Sequence, residues 1–156
     1  MKRVILSIDC GTQSMRTLLF SEDGTLLDSE QVEYAPYYSD NPGWAEQDPE
    51  LFWNSLVAGC RALQTRCPEH MATIQGVGIT TQRATMISVD KNGSPLRPAI
   101  IWLDQRRTEG LEPVGGLWGL AFRLAGMRET VAQFQAEAEV NWLQRHQPEV
   151  WNRTHK

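Results

Sequence analysis

The chain has 156 residues, a formal net charge of −4, 41% hydrophobic residues and 22% charged residues. That length suits one compact core and is short for two ordinary domains. The acidic balance and the scattering of basic residues exclude the electrostatic footprint that a nucleic-acid backbone requires, so no nucleic-acid partner is expected.

At the N-terminus, "VILSI" follows Met-Lys-Arg and Asp9 cuts the apolar run short of what a secretory signal needs. No segment approaches the length of a membrane span, so no membrane partner is expected. The three cysteines, Cys10, Cys60 and Cys67, are odd in number and lack any C-x-x-C spacing. Free thiols and a cytoplasmic location are the expectation. Cys10 is expected to be a small buried thiol, since no base lies beside it in sequence.

Taken in chain order, residues 3–9 and 16–20 read as two strands rich in Val, Ile and Leu. Glu22-Asp23-Gly24 is a turn, and residues 25–34 alternate as a third, antiparallel strand. Residues 35–49 have the Pro, Asn, Asp and Gly content of a loop. Asp48-Pro49 is a helix start, with an acid to cap backbone N–H groups and a proline that needs none. Phe52, Trp53, Leu56, Val57, Cys60 and Leu63 follow at helical spacing and predict one packed face, and Pro68 ends the pattern. Residues 74–80 predict a buried strand. Residues 85–90, the turn "KNGS" and residues 99–104 predict a hairpin. Residues 105–128 predict mixed helix and loop, and residues 129–146 a helix carrying Val131, Phe134, Ala138 and Trp142 up to Pro148. Such an order predicts an α/β fold with a mixed sheet and flanking helices.

The bend at residues 9–16, "DCGTQSMR", carries the densest chemistry. Gly11 would let backbone approach a ligand closely. Thr12, Gln13 and Ser14 can donate hydrogen bonds, and Arg16 can grip a phosphate with two of its N–H groups. Asp9 would repel phosphate directly, so its natural part is to hold a magnesium ion through water. The other reading is a hairpin whose Asp and Thr satisfy their own backbone. The Walker pattern is absent, and a strand rather than a helix follows.

"DCGTQSMR" resembles the first phosphate-loop signature of the FGGY carbohydrate kinases, Asp-x-Gly-Thr-x-Ser-x-Arg. "GWAEQDPELFW", "GITTQRATM", "AIIWLDQR" and "NWLQRHQPEVW" resemble further segments of that family in matching order. The resemblance implies the ribonuclease H-like, actin-like ATPase fold. It makes residues 1–156 the N-terminal portion of the first kinase domain, with the second domain outside this chain. It implies ATP and Mg2+ as cofactors and a sugar or polyol as substrate. Asp9, Gly11, Thr12, Gln13, Ser14 and Arg16 would then form the phosphate side, with Asp9 the magnesium holder. Gln82, Arg83, Trp102 and Asp104 would contact the substrate: amide and guanidinium donors for hydroxyls, an indole face for the carbon skeleton, a carboxylate acceptor. Ala84 stands where the glycerol-kinase form of the motif has an acid, which removes one hydroxyl acceptor.

No catalytic base is expected in this chain, because the family's aspartate lies downstream of the matched segments. This segment alone is therefore expected to be inactive. An unpaired sheet edge would invite self-association with a second copy. Trp44, Glu46, Asp48 and Trp53 are expected to be structural, and His70, His146 and His155 to be solvated. The alternative from a different class is an actin-like or Hsp70-like ATPase module that works through partner binding, and a third is an interaction domain that has lost catalysis. The segments at Gln82-Arg83 and Trp102-x-Asp104 tell against the former.

Overall fold

The structure, a computed structural model, describes residues 3–156. The chain divides into two compact units, where its length had suggested one core: Met1–Tyr38 with Glu46–Thr85, and Ser39–Ala45 with Met86–Lys156.

In the first unit, β1 (Val4–Cys10), β2 (Ser14–Ser21) and β3 (Leu26–Glu33) form an antiparallel meander. A fourth long strand, which follows the two-residue β4 (Glu46–Gln47) in the chain, is β5 (Ile74–Thr81). It pairs parallel to β1, giving the sheet order β3-β2-β1-β5. The predicted mixed sheet is present. Between β4 and β5 run α1 (Pro49–Arg66) and the short α2 (Pro68–Met71).

Alternation along the strands decides the faces. Val4, Leu6 and Ile8 of β1 join Met15 and Leu19 of β2 in a core completed by Leu63 and Cys67. Helix α1 closes this face over β2 and β3. Asp48 caps it as the sequence predicts, accepting from the Glu50 N–H at 3.0 Å. Ser55, Gly59 and Leu63 are its buried residues, with Phe52, Leu56 and Cys60 packed beside them. Trp53 is a correction: it is 63% exposed, because a residue one step along a helix from Phe52 turns about 100° away from the packed stripe.

Residues 74–80 form the predicted strand, but not a buried one. Val77 and Ile79 pair with the core residues Leu6 and Ile8 yet are 56% and 61% exposed. The helix lies over the opposite half of the sheet, so the same face goes uncovered at the β5 edge.

In the second unit, the expected hairpin shrinks to β6 (Ala99–Ile100) and two isolated bridges, Met86 with Ile100 and Val89 with Pro95. Four helices follow: α3 (Gly116–Leu124), α4 (Arg128–Glu137), α5 (Glu139–His146) and α6 (Pro148–Arg153). The single helix expected over residues 129–146 is broken at Ala138, whose ψ of 116° is extended, so Trp142 is buried while Phe134 is 66% exposed. Ala99, Ile100, Ile101, Trp142 and Leu143 are the buried apolar residues of this unit, with Ala45. No helix among the described residues is long and apolar enough to cross a membrane.

Two consequences are measurable. A Cβ at Gly59 would lie 2.8 Å from the Thr17 hydroxyl oxygen and 3.1 Å from its methyl. Gly59→Ala is therefore expected to destabilise the chain by about 1–3 kcal/mol in urea denaturation, with Thr17→Ala alongside it recovering part of the loss. On β3, Asp28 and Glu30 meet Arg66 of α1 at 3.1 and 2.6 Å. The Arg66 hydrogen bond holds the Asp28 pKa below its ordinary value. The stability from Asp28 is then fully present above its unfolded pKa of about 3.9 and is lost as pH falls through the depressed native value. Arg66→Ala is expected to flatten that acid-side loss, read by denaturation at a series of pH values.

Candidate functional site

The register of the first sheet places four polar residues in one row: Thr80 of β5 opposite Asp9 of β1, Asp9 opposite Arg16 of β2, and Arg16 opposite Gln31 of β3. Their parity is opposite to Val4, Leu6 and Ile8, so the row lies on the face away from α1. The side chains join across it. Thr80 donates to Asp9 Oδ1 at 2.8 Å, Arg16 pairs with Asp9 Oδ2 at 3.5 Å, and Arg16 Nε donates to Gln31 Oε1 at 3.3 Å. The Asp9 and Arg16 side chains are both about half exposed, at 45% and 52%, so their pairing contributes little to stability. It holds an acid and a guanidinium within reach of one another and of solvent.

Directly beyond this row the chain bends between β1 and β2. The Gly11 N–H donates to the Ser14 carbonyl at 3.0 Å, and a Cβ on Gly11 would sit 3.2 Å from that same oxygen. Close approach thus favours glycine here. Gln13 is exposed at the bend and Thr12 is half-buried, whereas Ser14 is buried at 8% exposure. A cavity of about 300 Å3 flanks the bend, with Gln13, Ser14, Arg16, Gln31 and Tyr34 in its wall and Glu33 giving it mixed charge. Tyr34, absent from the sequence expectations, donates its hydroxyl to the Gly11 carbonyl at 2.6 Å. Burial raises the pKa of Cys10 beside it, which keeps the thiol protonated and unsuited to attack.

The turn after β5 carries Gln82, Arg83 and Ala84. Arg83 is exposed. Ala84 has φ of 51°, in the left-handed region that non-glycine residues seldom occupy. Gln82 had been expected to meet a substrate hydroxyl, but its amide is engaged within the chain. Its nitrogen donates to the Gly11 carbonyl and to Gln47 Oε1, at 3.3 and 3.4 Å. Its oxygen accepts from the hydroxyls of Thr12 and Thr85, at 3.3 and 3.4 Å.

Trp102 and Asp104 belong to the second unit. Trp102 is 54% exposed and so is not part of the core. Asp104 is the reverse case, its side chain only 3% exposed. Oδ1 accepts from the Arg106 backbone N–H at 2.9 Å and from Arg106 Nε at 2.7 Å. Oδ2 accepts from the Ala45 N–H and from a terminal guanidinium nitrogen of Arg106, at 2.7 and 2.6 Å. Four donors use the acceptor sites a carboxylate has, so Asp104 organises its own loop instead of offering an acceptor to a hydroxyl. Arg106 in turn lies over Trp44 and Trp142, its guanidinium carbon 4.0 and 4.6 Å from their ring centres. The two indoles meet edge-on at 5.4 Å. Trp44 is thereby a loop anchor, as expected. His146 is not merely solvated, since its ring stacks on Trp142 at 5.0 Å.

Asp9 suits an outer-sphere magnesium: one half-exposed carboxylate with polar neighbours. Among the described residues no group of three or more His, Cys, Asp or Glu could ligate a metal directly. A magnesium ion here would keep most of its waters and share its charge with ligand phosphates, the usual habit of that ion.

The chain matches the FGGY family of carbohydrate kinases, N-terminal domain, over residues 4–156. It is 29% identical to a xylulose kinase of Staphylococcus epidermidis over 152 residues, 97% of this chain and 30% of that protein. It is 39% identical to a glycerol kinase of Oceanobacillus iheyensis over 111 residues, 70% of this chain and 22% of that one. The crystal structure of xylulose kinase from Rhodospirillum rubrum superposes with a TM-score of 0.73 at 23% identity, over 97% of this chain and 31% of its own. The expected sugar-kinase, actin-like fold is present as a partial domain. The chain spans less than a third of these relatives' lengths.

The Asp104–Arg106 pair allows a direct check. Arg106→Met leaves a buried carboxylate without its partner and is expected to cost about 3–5 kcal/mol in chemical denaturation. Adding Asp104→Leu should recover part of that loss, because no uncompensated charge then remains although the Ala45 and Arg106 N–H groups lose their acceptor.

Proposed function

Because the chain belongs to the FGGY family of carbohydrate kinases, we propose that it forms the phosphate side, and part of the sugar side, of an ATP-dependent kinase. That kinase transfers the γ-phosphoryl group of ATP to a hydroxyl of a sugar or polyol. The observation that carries this reading is the row of Thr80, Asp9, Arg16 and Gln31 lying against a tight bend at Gly11.

In this reading Asp9 would hold a magnesium ion through water, and that ion would supply charge neutralisation to the phosphates. Gln13 and Arg16 contact the phosphate oxygens with their side chains, and Thr12 does so through its backbone N–H, its hydroxyl being given to Gln82. Arg16 keeps donors to offer, since two of its five N–H groups are engaged by Asp9 and Gln31. Arg83, exposed after β5, donates to substrate hydroxyls, and the half-exposed Trp102 indole stacks on a carbon skeleton. Gln82 and Asp104 act as positioning residues in place of the direct contacts first expected of them. Catalysis of this kind is placement and charge neutralisation, with a base taking the hydroxyl proton. That base and the adenosine site belong to the family's later sequence, so this segment alone is inactive in the proposal. The cytoplasm, which supplies ATP, is the proposed location. The alternative ATPase module loses its ground because the family match runs over residues 4–156.

Screening the full-length protein that carries this segment against a panel of pentuloses, hexuloses, sugar acids and polyols tests the reading. ATP-dependent phosphorylation of one of them is expected, and none from residues 1–156 alone. Arg16→Ala in the full-length protein is expected to lower kcat roughly 10- to 150-fold, the equivalent of one charge-assisted hydrogen bond made in the transition state. Unchanged turnover would remove Arg16 from the phosphate site.

A further inference from the structure

We infer that the side-chain amides of Gln47 and Gln82 are a coupled positioning pair: by pinning the carbonyls of Gly11 and Thr12 they aim the next two backbone N–H groups at the bound phosphates. This rests on the kinase reading above and adds to it a cause for the shape of the bend.

The argument starts from peptide geometry. In a planar trans peptide the C=O of one residue and the N–H of the next point in opposite directions. Whatever holds the Gly11 carbonyl therefore also sets the direction of the Thr12 N–H. Holding the Thr12 carbonyl does the same for the Gln13 N–H. Two neighbouring side-chain amides hold both carbonyls. The Gly11 carbonyl accepts from Gln82 Nε2 at 3.3 Å and from the Tyr34 hydroxyl at 2.6 Å. The Thr12 carbonyl accepts from Gln47 Nε2 at 2.9 Å. Two successive N–H groups turned the same way are the geometry of an anion-binding concavity.

The two glutamines work as a unit. Gln82 Nε2 also donates to Gln47 Oε1 at 3.4 Å, and Gln47 Nε2 also donates to the Ala35 carbonyl at 3.3 Å. Gln47 is only 1% exposed, so its amide orientation is set by these partners and not by water. Gln82 uses two donors and two lone pairs, the full capacity of an amide. Three segments far apart in sequence meet through it: the bend at residues 10–13, strand β4 and the turn after β5. The chemistry demands an amide. A carboxylate at position 82 would set an acceptor against both the Gly11 carbonyl and Gln47 Oε1, and an apolar side chain would donate to neither.

The experiment uses the full-length protein with Gln82→Glu, Gln47→Met and the double variant. Expected for each single change is a loss of kcat/KM for MgATP on the order of tenfold, with the KM for sugar within about twofold. The double variant should lose little more than either single one, as coupled residues do. Hydrogen exchange of the amides at residues 11–13, followed in the same proteins, should quicken in every variant. Three outcomes overturn the inference: additive losses, a Gln82→Glu effect confined to the sugar KM, or unaltered exchange in the bend. A wild-type protein that phosphorylates no sugar would instead overturn the kinase reading, and the exchange measurement would still decide whether the two amides orient the bend.

Discussion

Strand β1 is paired on both edges, antiparallel to β2 and parallel to β5. The rest of the first unit depends on that double pairing. A hairpin alone would bring Asp9 to Arg16 and nothing more. The parallel partner adds Thr80 to the row and delivers Gln82 to the bend, although about seventy residues separate them in the chain. Helices α1 and α2 are the crossover that parallel pairing requires, and the packing of α1 on β2 and β3 supplies the core that holds the strands in register.

Two charge pairs show how burial sorts function from stability. Asp9 and Arg16 meet at 3.5 Å with both side chains about half exposed, where water screens them and their mutual attraction is small. Such a pair can be rearranged by a polyanion at little energetic loss. Asp104 and Arg106 meet at 2.6 Å with almost nothing exposed, and aromatic faces take up the guanidinium. Desolvation makes that pair intolerant of losing either member. The same residue types thus stay open to solvent in one unit and organise a loop in the other.

Much of this was legible beforehand. The three-strand meander, the cap at Asp48, the stop at Pro68 and the mixed sheet follow from alternation, capping chemistry and proline geometry, all of them local effects. The bend was recognisable from Asp9, Gly11 and Arg16. The parts played by Gln82 and Asp104 were not. Both have the donors or acceptors a sugar would want, and only the partners around them reveal that these are already engaged. Gln47 and Tyr34 left no signal of their own, since a lone glutamine or tyrosine beside a loop carries no periodicity or spacing to read. The exposure of Val77 and Ile79 was hidden for a related reason: an apolar strand reads as buried whether or not anything lies over it.

The amino-acid order by itself determined which residues could bind phosphate and where each local element begins, because those depend on side-chain chemistry and on neighbours a few positions away. Tertiary structure decided which polar groups remain available. Availability is set by contacts between residues tens of positions apart, where one hydrogen bond formed within the chain is one withheld from a ligand.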